Sequence, residues 1–446
     1  MNRVANLMLA GAALTLPGCA SFPDAAGGGR IVRVADLEAG TPRGWSYTLG
    51  DPAFSAFLDR ADLASLDVKA ALARAAARDA AFRIERGATS PQIDATAGWQ
   101  RSIAGGDRDA RGVDAGLSLT WTPDLSGAVS AAVDAARAEA RAAGFDVEAA
   151  RAVLAADLAR GWLTLVATDD RLTRIAQRQA MESEGLALAR RRVAAGFAAR
   201  DETLARETAL ARLADEKLSV ANDREATRLR LLALAGLDST ASFDTPLTLD
   251  RLRLYSPATV SLDQLDTRPD VGAAALRLTA ADSRRLGEIR NARPRIVLSL
   301  GGQGGNLSLA SFVANPGFSL IPGIRIEGAI LDGGRSRARA DRAAADAAEA
   351  ETLYLRAVVA ARRDLATALA AFTSARDRQY PATAAVRHAG ERLTLVSDRF
   401  ARGAASRIDQ IDAERSLVEA KEAEAEARRA WIAAGIEVHA ALTGAG

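Results

Sequence analysis

The 446-residue chain has one cysteine, Cys19, and two histidines, His388 and His439. A single cysteine cannot close an internal disulfide. Neither histidine has a second histidine or a cysteine at ligand spacing, and no HExxH pattern occurs, which leaves a catalytic zinc site without support. Lysine is almost missing: Lys69, Lys217 and Lys421 are the full set, and arginine carries nearly all the positive charge. Acidic and basic residues balance to a formal +2, with arginines spread beside acids. That pattern describes solvated helix faces and gives no phosphate track for a nucleic acid. No cofactor motif and no enzymatic constellation is expected.

Proline is missing where it matters most. From Gly127 to Gly196, roughly seventy residues pass without one, with few glycines and much alanine, leucine and arginine, a composition that favours helix throughout. The stretch has a second copy from Gly334 to Gly403. Both ends are displaced by the same 207 positions (334 − 127 and 403 − 196), and RRVAAGFAARDETL at Arg191 to Leu204 answers DRFARGAASRIDQI at Asp398 to Ile411. A helix of sixty or more residues reaches about 90 to 100 Å, far beyond a small domain. Such a rod needs lateral partners along its length, and Leu154, Leu158, Trp162 and Leu165 supply an apolar stripe for them.

The apolar run LMLAGAALTL after Arg3 is too short to span a membrane and remain there, so residues 1–18 read as an export signal. It ends at Leu16-Pro17-Gly18-Cys19, which resembles a bacterial lipobox, the cysteine being the lipidated residue. Ala20 is not the aspartate that retains such proteins at the inner membrane, so the resemblance points to the outer one. Residues 19–50, rich in glycine and proline, read as a tether.

Two structural repeats are expected beyond it, 51–240 and 241–446. In the first, a helix over Asp67 to Arg86 precedes a β-hairpin over 91–122, where Ile93, Ala95 and Ala97 and then Val113, Ala115, Leu117, Leu119 and Trp121 alternate with polar or small residues. Strands of this length fit a membrane β-barrel with Gly105-Gly106-Asp107 in the outside loop, or equally a water-soluble hairpin with one buried face. In the second, a helix over 268–289 precedes a hairpin over 294–331. Gly301-Gly302-Gln303-Gly304-Gly305 lacks the lysine of a phosphate loop and reads as a barrel loop. Each hairpin leads into a long helix, then a tip at Gly196 or Gly403, then a return helix, Glu202 to about Gly236 and Ile408 to about Gly435. His388, after the helix-breaking Pro381, reads as a surface residue. Four strands cannot close a membrane barrel, whose smallest form has about eight, so rotational assembly of subunits is required.

At this point the chain resembles the outer membrane efflux protein family, the TolC-like outer-membrane factors, in its NodT-type lipoprotein branch. The lipobox, the Trp45 region, Leu265-Asp266-Thr267-Arg268-Pro269-Asp270-Val271, Pro294, Asp332-Gly333-Gly334-Arg335 and Arg399-Phe400 with Gly403, Ser406 and Asp409 carry the resemblance. It implies an α+β membrane protein: a homotrimer whose subunits each give four strands to one transmembrane β-barrel and antiparallel helices to a long α-helical barrel, or tunnel. It implies a lipid-anchored outer-membrane site, a periplasmic adaptor (membrane fusion) protein and an inner-membrane RND-type pump as partners, and passive exit of drugs, toxic small molecules or metal ions. An outer-membrane duct for type I protein secretion has the same build, and a pore-free periplasmic coiled-coil scaffold lipoprotein is the alternative of another class. On the resemblance, Gly196 and Gly403 mark the periplasmic tip. Asp201 and Glu202 on one side, and Asp409 and Asp412 on the other, are candidate gate acids, with Arg200, Arg402 and Arg407 able to pair with them across subunits.

Overall fold

The computed structural model describes residues 49–102, 110–243, 248–252, 265, 268–306, 313, 317 and 319–445. The signal, Cys19, nearly all of the tether, Trp45 and the Gly105–Asp107 loop lie outside them. The elements are α1 (Pro52–Ala64), α2 (Leu66–Gly87), β1 (Gln92–Ser102), β2 (Ala110–Trp121), α3 (Ala128–Ala194), α4 (Arg200–Leu234), α5 (Pro269–Asn291), β3 (Arg295–Asn306), β4 (Ser319–Glu327), α6 (Arg335–Ala401) and α7 (Arg407–Thr443).

The two long helices, α3 and α6, are each 67 residues, about 100 Å at 1.5 Å per residue. Each starts after a glycine in the left-handed region, Gly127 at φ 76° and Gly334 at φ 85°. Aspartate caps both. The Asp124 carboxylate accepts the Val129 and Ser130 amides at 3.2 and 2.7 Å, and Asp332 accepts those of Gly334 and Ser336 at 2.9 and 2.8 Å. These bonds satisfy amide groups that a helix start leaves without partners.

All four strands form one antiparallel sheet in the order β1-β2-β3-β4. The register sorts its side chains cleanly. Ile93, Leu119 and Leu300 lie in one row, and Trp121, Leu298 and Ile324 in the next, all on one face. Gln92, Thr120, Ser299 and Gly323 form a row of the opposite face, as the two-residue period of a strand requires. The apolar face is exposed in the single chain, with Ile93, Trp99, Leu320, Ile324 and Ile326 open to solvent.

The apolar stripe on α3 reaches its core where the chain wraps around the rod. Leu154, Leu158, Trp162 and Leu165 are buried against α1, α4 and α7. Trp162 is fully enclosed, its ring 5.6 Å from those of Phe54 and Phe243, and its Nε1 donates to Asp51 at 3.0 Å. Arg268, also buried, donates to the Ala441 carbonyl at 2.7 Å and to Asp270. A Cβ at Gly272 would stand 3.2 Å from the Phe145 ring, close enough that the ring would have to give by a few tenths of an ångström.

The structure corrects three expectations. Pro381 lies inside α6 and does not break it. The proline loses one backbone bond, but the turns around it are held from the side, with Ala375 and Ala389 buried and the Thr383 hydroxyl donating to Glu424 of α7 at 2.9 Å. Gly301 to Gly305 is ladder, not loop, because Gly302 pairs with both Leu117 and Leu320. The last helix runs on to Thr443, since Ile436, Val438, Ala440 and Ala441 continue a buried face past Gly435. Ahead of the expected first helix, Pro52–Ala64 forms a further 13-residue helix capped by Asp51. Among the described residues no helix is long and apolar enough to cross a membrane.

Candidate functional site

The two turns have the same backbone. In the first, the Ala195, Gly196 and Phe197 amides donate to the Arg191, Val193 and Arg192 carbonyls at 3.0, 3.0 and 2.9 Å. In the second, Arg402, Gly403 and Ala404 donate to Asp398, Phe400 and Arg399 at 3.2, 2.9 and 2.7 Å. Gly196 has φ 75° and Gly403 φ 72°. The amide after each glycine reaches back five residues, the Schellman closure that needs a left-handed residue.

Their side chains differ. Ser406 caps α7 in a reciprocal box: its hydroxyl receives the Asp409 amide at 3.1 Å, and the Asp409 carboxylate accepts the Ser406 amide at 2.8 Å. These bonds hold the Asp409 carboxyl below its ordinary range, with the Ser406 hydroxyl the main cause. At the matching positions of the first turn stand Ala199, which caps nothing, and Glu202, which accepts from Arg192 at 3.1 Å. The first turn presents Phe197, 78% exposed, where the second has Ala404.

Above the turns, ion pairs join the two hairpins. Arg206 of α4 donates to Glu182 of α3 at 2.9 Å and to Asp412 of α7 at 3.3 Å. Glu182 is buried and also lies 3.4 Å from Arg415. Gly185 makes the room, since the Arg206 guanidinium carbon sits 3.3 Å from the place of its missing Cβ. Arg407 donates to Glu184 at 2.7 and 2.9 Å and to Glu414 at 2.9 Å. Its pKa is raised by Glu184 first and Glu414 next, and that of Glu184 is lowered in return.

The candidate gate residues therefore separate. Asp412 joins the lattice, and Asp409 caps its own helix. Glu202 pairs within its hairpin, while Asp201, Arg200 and Arg402 are exposed at the turns. Arg407, expected to pair with tip acids of another subunit, bonds Glu184 and Glu414 of its own chain. The sequence reading missed Glu182, Glu184, Gly185 and Arg206, and in the segment Glu414-Arg415-Ser416-Leu417, which also carries the family resemblance, it gave Glu414 and Arg415 no role at the tip. No spacing marks them, because Glu182 and Asp412 meet through Arg206 only when three helices lie side by side.

Comparison with known proteins agrees with this architecture. Residues 57–237 and 262–444 match the family described as Outer membrane efflux protein. The pyoverdine export outer membrane protein OpmQ of Pseudomonas aeruginosa is 26% identical across 98% of this chain and 96% of its own length. Outer membrane protein OprJ of the same organism is 29% identical over 79% of this chain and 74% of its own. In fold, the open-state crystal structure of the MtrE outer membrane channel of Neisseria gonorrhoeae superposes with a TM-score of 0.81, at 23% identity and 95% coverage of both chains. With the repeated hairpins, the strands between them and a match over most of its length, the chain belongs to the outer membrane efflux protein family.

Proposed function

We propose that the protein is the outer-membrane channel of a tripartite efflux pump, a passive duct for small compounds delivered by an RND-type inner-membrane transporter through a periplasmic adaptor. The observation that carries this is a four-stranded open sheet joined to duplicated 67-residue helices in a chain of this family. Four strands leave two open edges, which lipid does not tolerate. Three copies related by rotation supply twelve strands and close the barrel. Its apolar face, with Ile93, Trp99 and Ile324, turns to lipid, and its polar face, with Gln92, Thr120 and Ser299, turns to the lumen. The long helices cross the periplasm as tunnel walls, and lipidated Cys19 anchors each subunit to the outer membrane.

The tip turns form the mouth. Within each subunit the lattice of Glu182, Arg206, Asp412 and Arg415, with Glu184, Arg407 and Glu414, braces the two hairpins against each other. Asp201, exposed at the first turn, and Asp409 and Asp412 beyond the second supply negative potential to the opening, with Glu202 held by Arg192 and Arg402 exposed at the second turn. Export of small organic compounds is in keeping with the pyoverdine export named for the relative in Pseudomonas aeruginosa.

The test is a mass measurement of the purified full-length oligomer, followed by planar-bilayer recording. A trimer that conducts supports the channel, whereas a species that never conducts leaves a scaffold. Replacing Asp201 and Asp412 with alanine is expected to raise closed-state leak and weaken cation preference. Unchanged leak and selectivity would remove these acids from the gate. The susceptibility profile of a deletion strain separates drug efflux from protein secretion.

A further inference from the structure

The polar face of the sheet has three repeated contacts. Thr96 stands directly opposite Gly116, Asp114 opposite Gly98, and Ser299 opposite Gly323. In each, the polar side chain lies flat across the glycine. An Asp114 carboxylate oxygen is 2.7 Å from where a Cβ of Gly98 would be, the Thr96 hydroxyl 2.9 Å from that of Gly116, and the Ser299 hydroxyl 2.6 Å from that of Gly323. The Thr96 and Ser299 hydroxyls donate along the wall, at 3.5 and 3.4 Å, to the carbonyls of those same glycines. None of the three glycines has a positive φ, so backbone conformation does not require glycine there. The neighbouring side chain lies in the space a Cβ would take, and its end turns aside when that space is filled.

Contacts this short leave no room for a methyl group. Any residue with a Cβ at these positions turns its partner off the wall, and on this face off the wall means into the lumen. The bore is narrow enough for that to matter. Twelve strands about 4.8 Å apart and tilted by about 40° close a circle about 24 Å across between facing backbones. Side chains standing upright on every subunit narrow it from three directions at once.

We infer that Gly98, Gly116 and Gly323 widen the bore of the barrel at their levels, laying polar side chains flat so that bulkier water-soluble cargo passes there. The inference rests on the three-copy barrel proposed above. The glycines are thus size-determining positions, and Thr96, Asp114 and Ser299 are the groups they keep out of the way.

A cysteine at Ser118 tests it. Ser118 pairs with Asp94 on the polar face, and a reagent entering from the hairpin loop passes the Gly98–Asp114 and Thr96–Gly116 levels before reaching it. Intact cells carrying full-length Ser118→Cys are treated from outside with a small maleimide and with polyethylene-glycol maleimides of increasing mass, cells with the unsubstituted chain serving as background. The small reagent is expected to label Ser118→Cys whether or not the glycines are changed. Gly98→Ala with Gly116→Ala is expected to abolish labelling by the largest reagents that label the parent. Adding Asp114→Gly and Thr96→Gly to those changes is expected to restore it, since no side chain is left to displace. Bulky labelling that survives the two alanines overturns the inference, as does a loss that the compensating glycines do not rescue. If the small reagent fails to label Ser118→Cys in the parent, the barrel reading itself falls.

Discussion

Arg206 of α4 stands between Glu182 of its own hairpin and Asp412 of the other, 2.9 and 3.3 Å from their carboxylate oxygens. Burial works against its charge, but the two carboxylates outweigh burial and the pKa is raised. Arg206→Ala leaves the buried Glu182 with only Arg415 at 3.4 Å. The expected cost is about 1–3 kcal/mol, that of a buried charged group losing a main partner. Closed-state leak in planar bilayers is expected to rise with it. Arg206→Lys is expected to recover only part of both, because a lysine ammonium cannot hold two carboxylates in the fixed geometry of a guanidinium. Thermal unfolding and single-channel recording of the three proteins check this.

The unequal caps of the two return helices give a prediction of the opposite sign. Ser406→Ala removes the capping box of α7 and is expected to destabilise by about 1 kcal/mol. Ala199→Ser places serine three residues before Glu202, the spacing that makes a capping box. It is expected to stabilise the first hairpin by roughly 0.5–1 kcal/mol, provided Glu202 turns from Arg192 to the backbone amide at position 199. Urea denaturation midpoints read both changes, and an Ala199→Ser protein no more stable than the parent would show that the Arg192 pair is the stronger hold.

In the core around α3, Trp162→Phe keeps an aromatic ring against Phe54, Phe57 and Phe243 but removes the donor to Asp51. Asp51 is buried and also caps α1 through the Ala53 amide at 2.9 Å. A loss of about 1–3 kcal/mol is expected from the unpaired carboxylate oxygen. Trp162→Leu also loses ring contacts and is expected to cost more. Denaturant titration followed by circular dichroism measures both.

Acid is expected to loosen the start of α6. The Ser336 hydroxyl, then the Ser336 and Gly334 amides, lower the Asp332 pKa from 3.8 to about 2. A carboxyl held lower in the folded state stabilises it above the unfolded pKa, and that contribution fades as pH falls through the folded value. Asp332→Asn is therefore expected to lower Tm at neutral pH, with the difference from the parent shrinking between about pH 4 and about pH 2. A difference that stays constant across that range would mean the carboxylate charge contributes nothing there.

Much of this protein was legible in order. The 207-residue displacement announces two copies, and strand alternation announces the hairpins between helices. Gly196 and Gly403 mark the turns because a five-residue closure needs a left-handed backbone that glycine adopts without strain. The roles of the charged residues near the turns were much less legible. Asp409 and Glu202 occupy matching positions, yet one caps a helix and the other holds an arginine. The difference comes from Ser406 against Ala199, a capping signal short enough to have been read locally.

By itself the sequence determined what depends on neighbours within a turn or a strand pair: the period of the apolar residues, the length of the rods, the aspartate and glycine at each rod's start, and the copy number of the unit. Only the tertiary structure decided what depends on helices lying side by side. It continues α6 past Pro381, because lateral contacts hold the turns around the missing bond. It lays Gly98 beneath Asp114 and Gly323 beneath Ser299, which no spacing along the chain shows. It also sets Arg206 against Asp412, 206 residues away, since a charge selects its partner by distance through space.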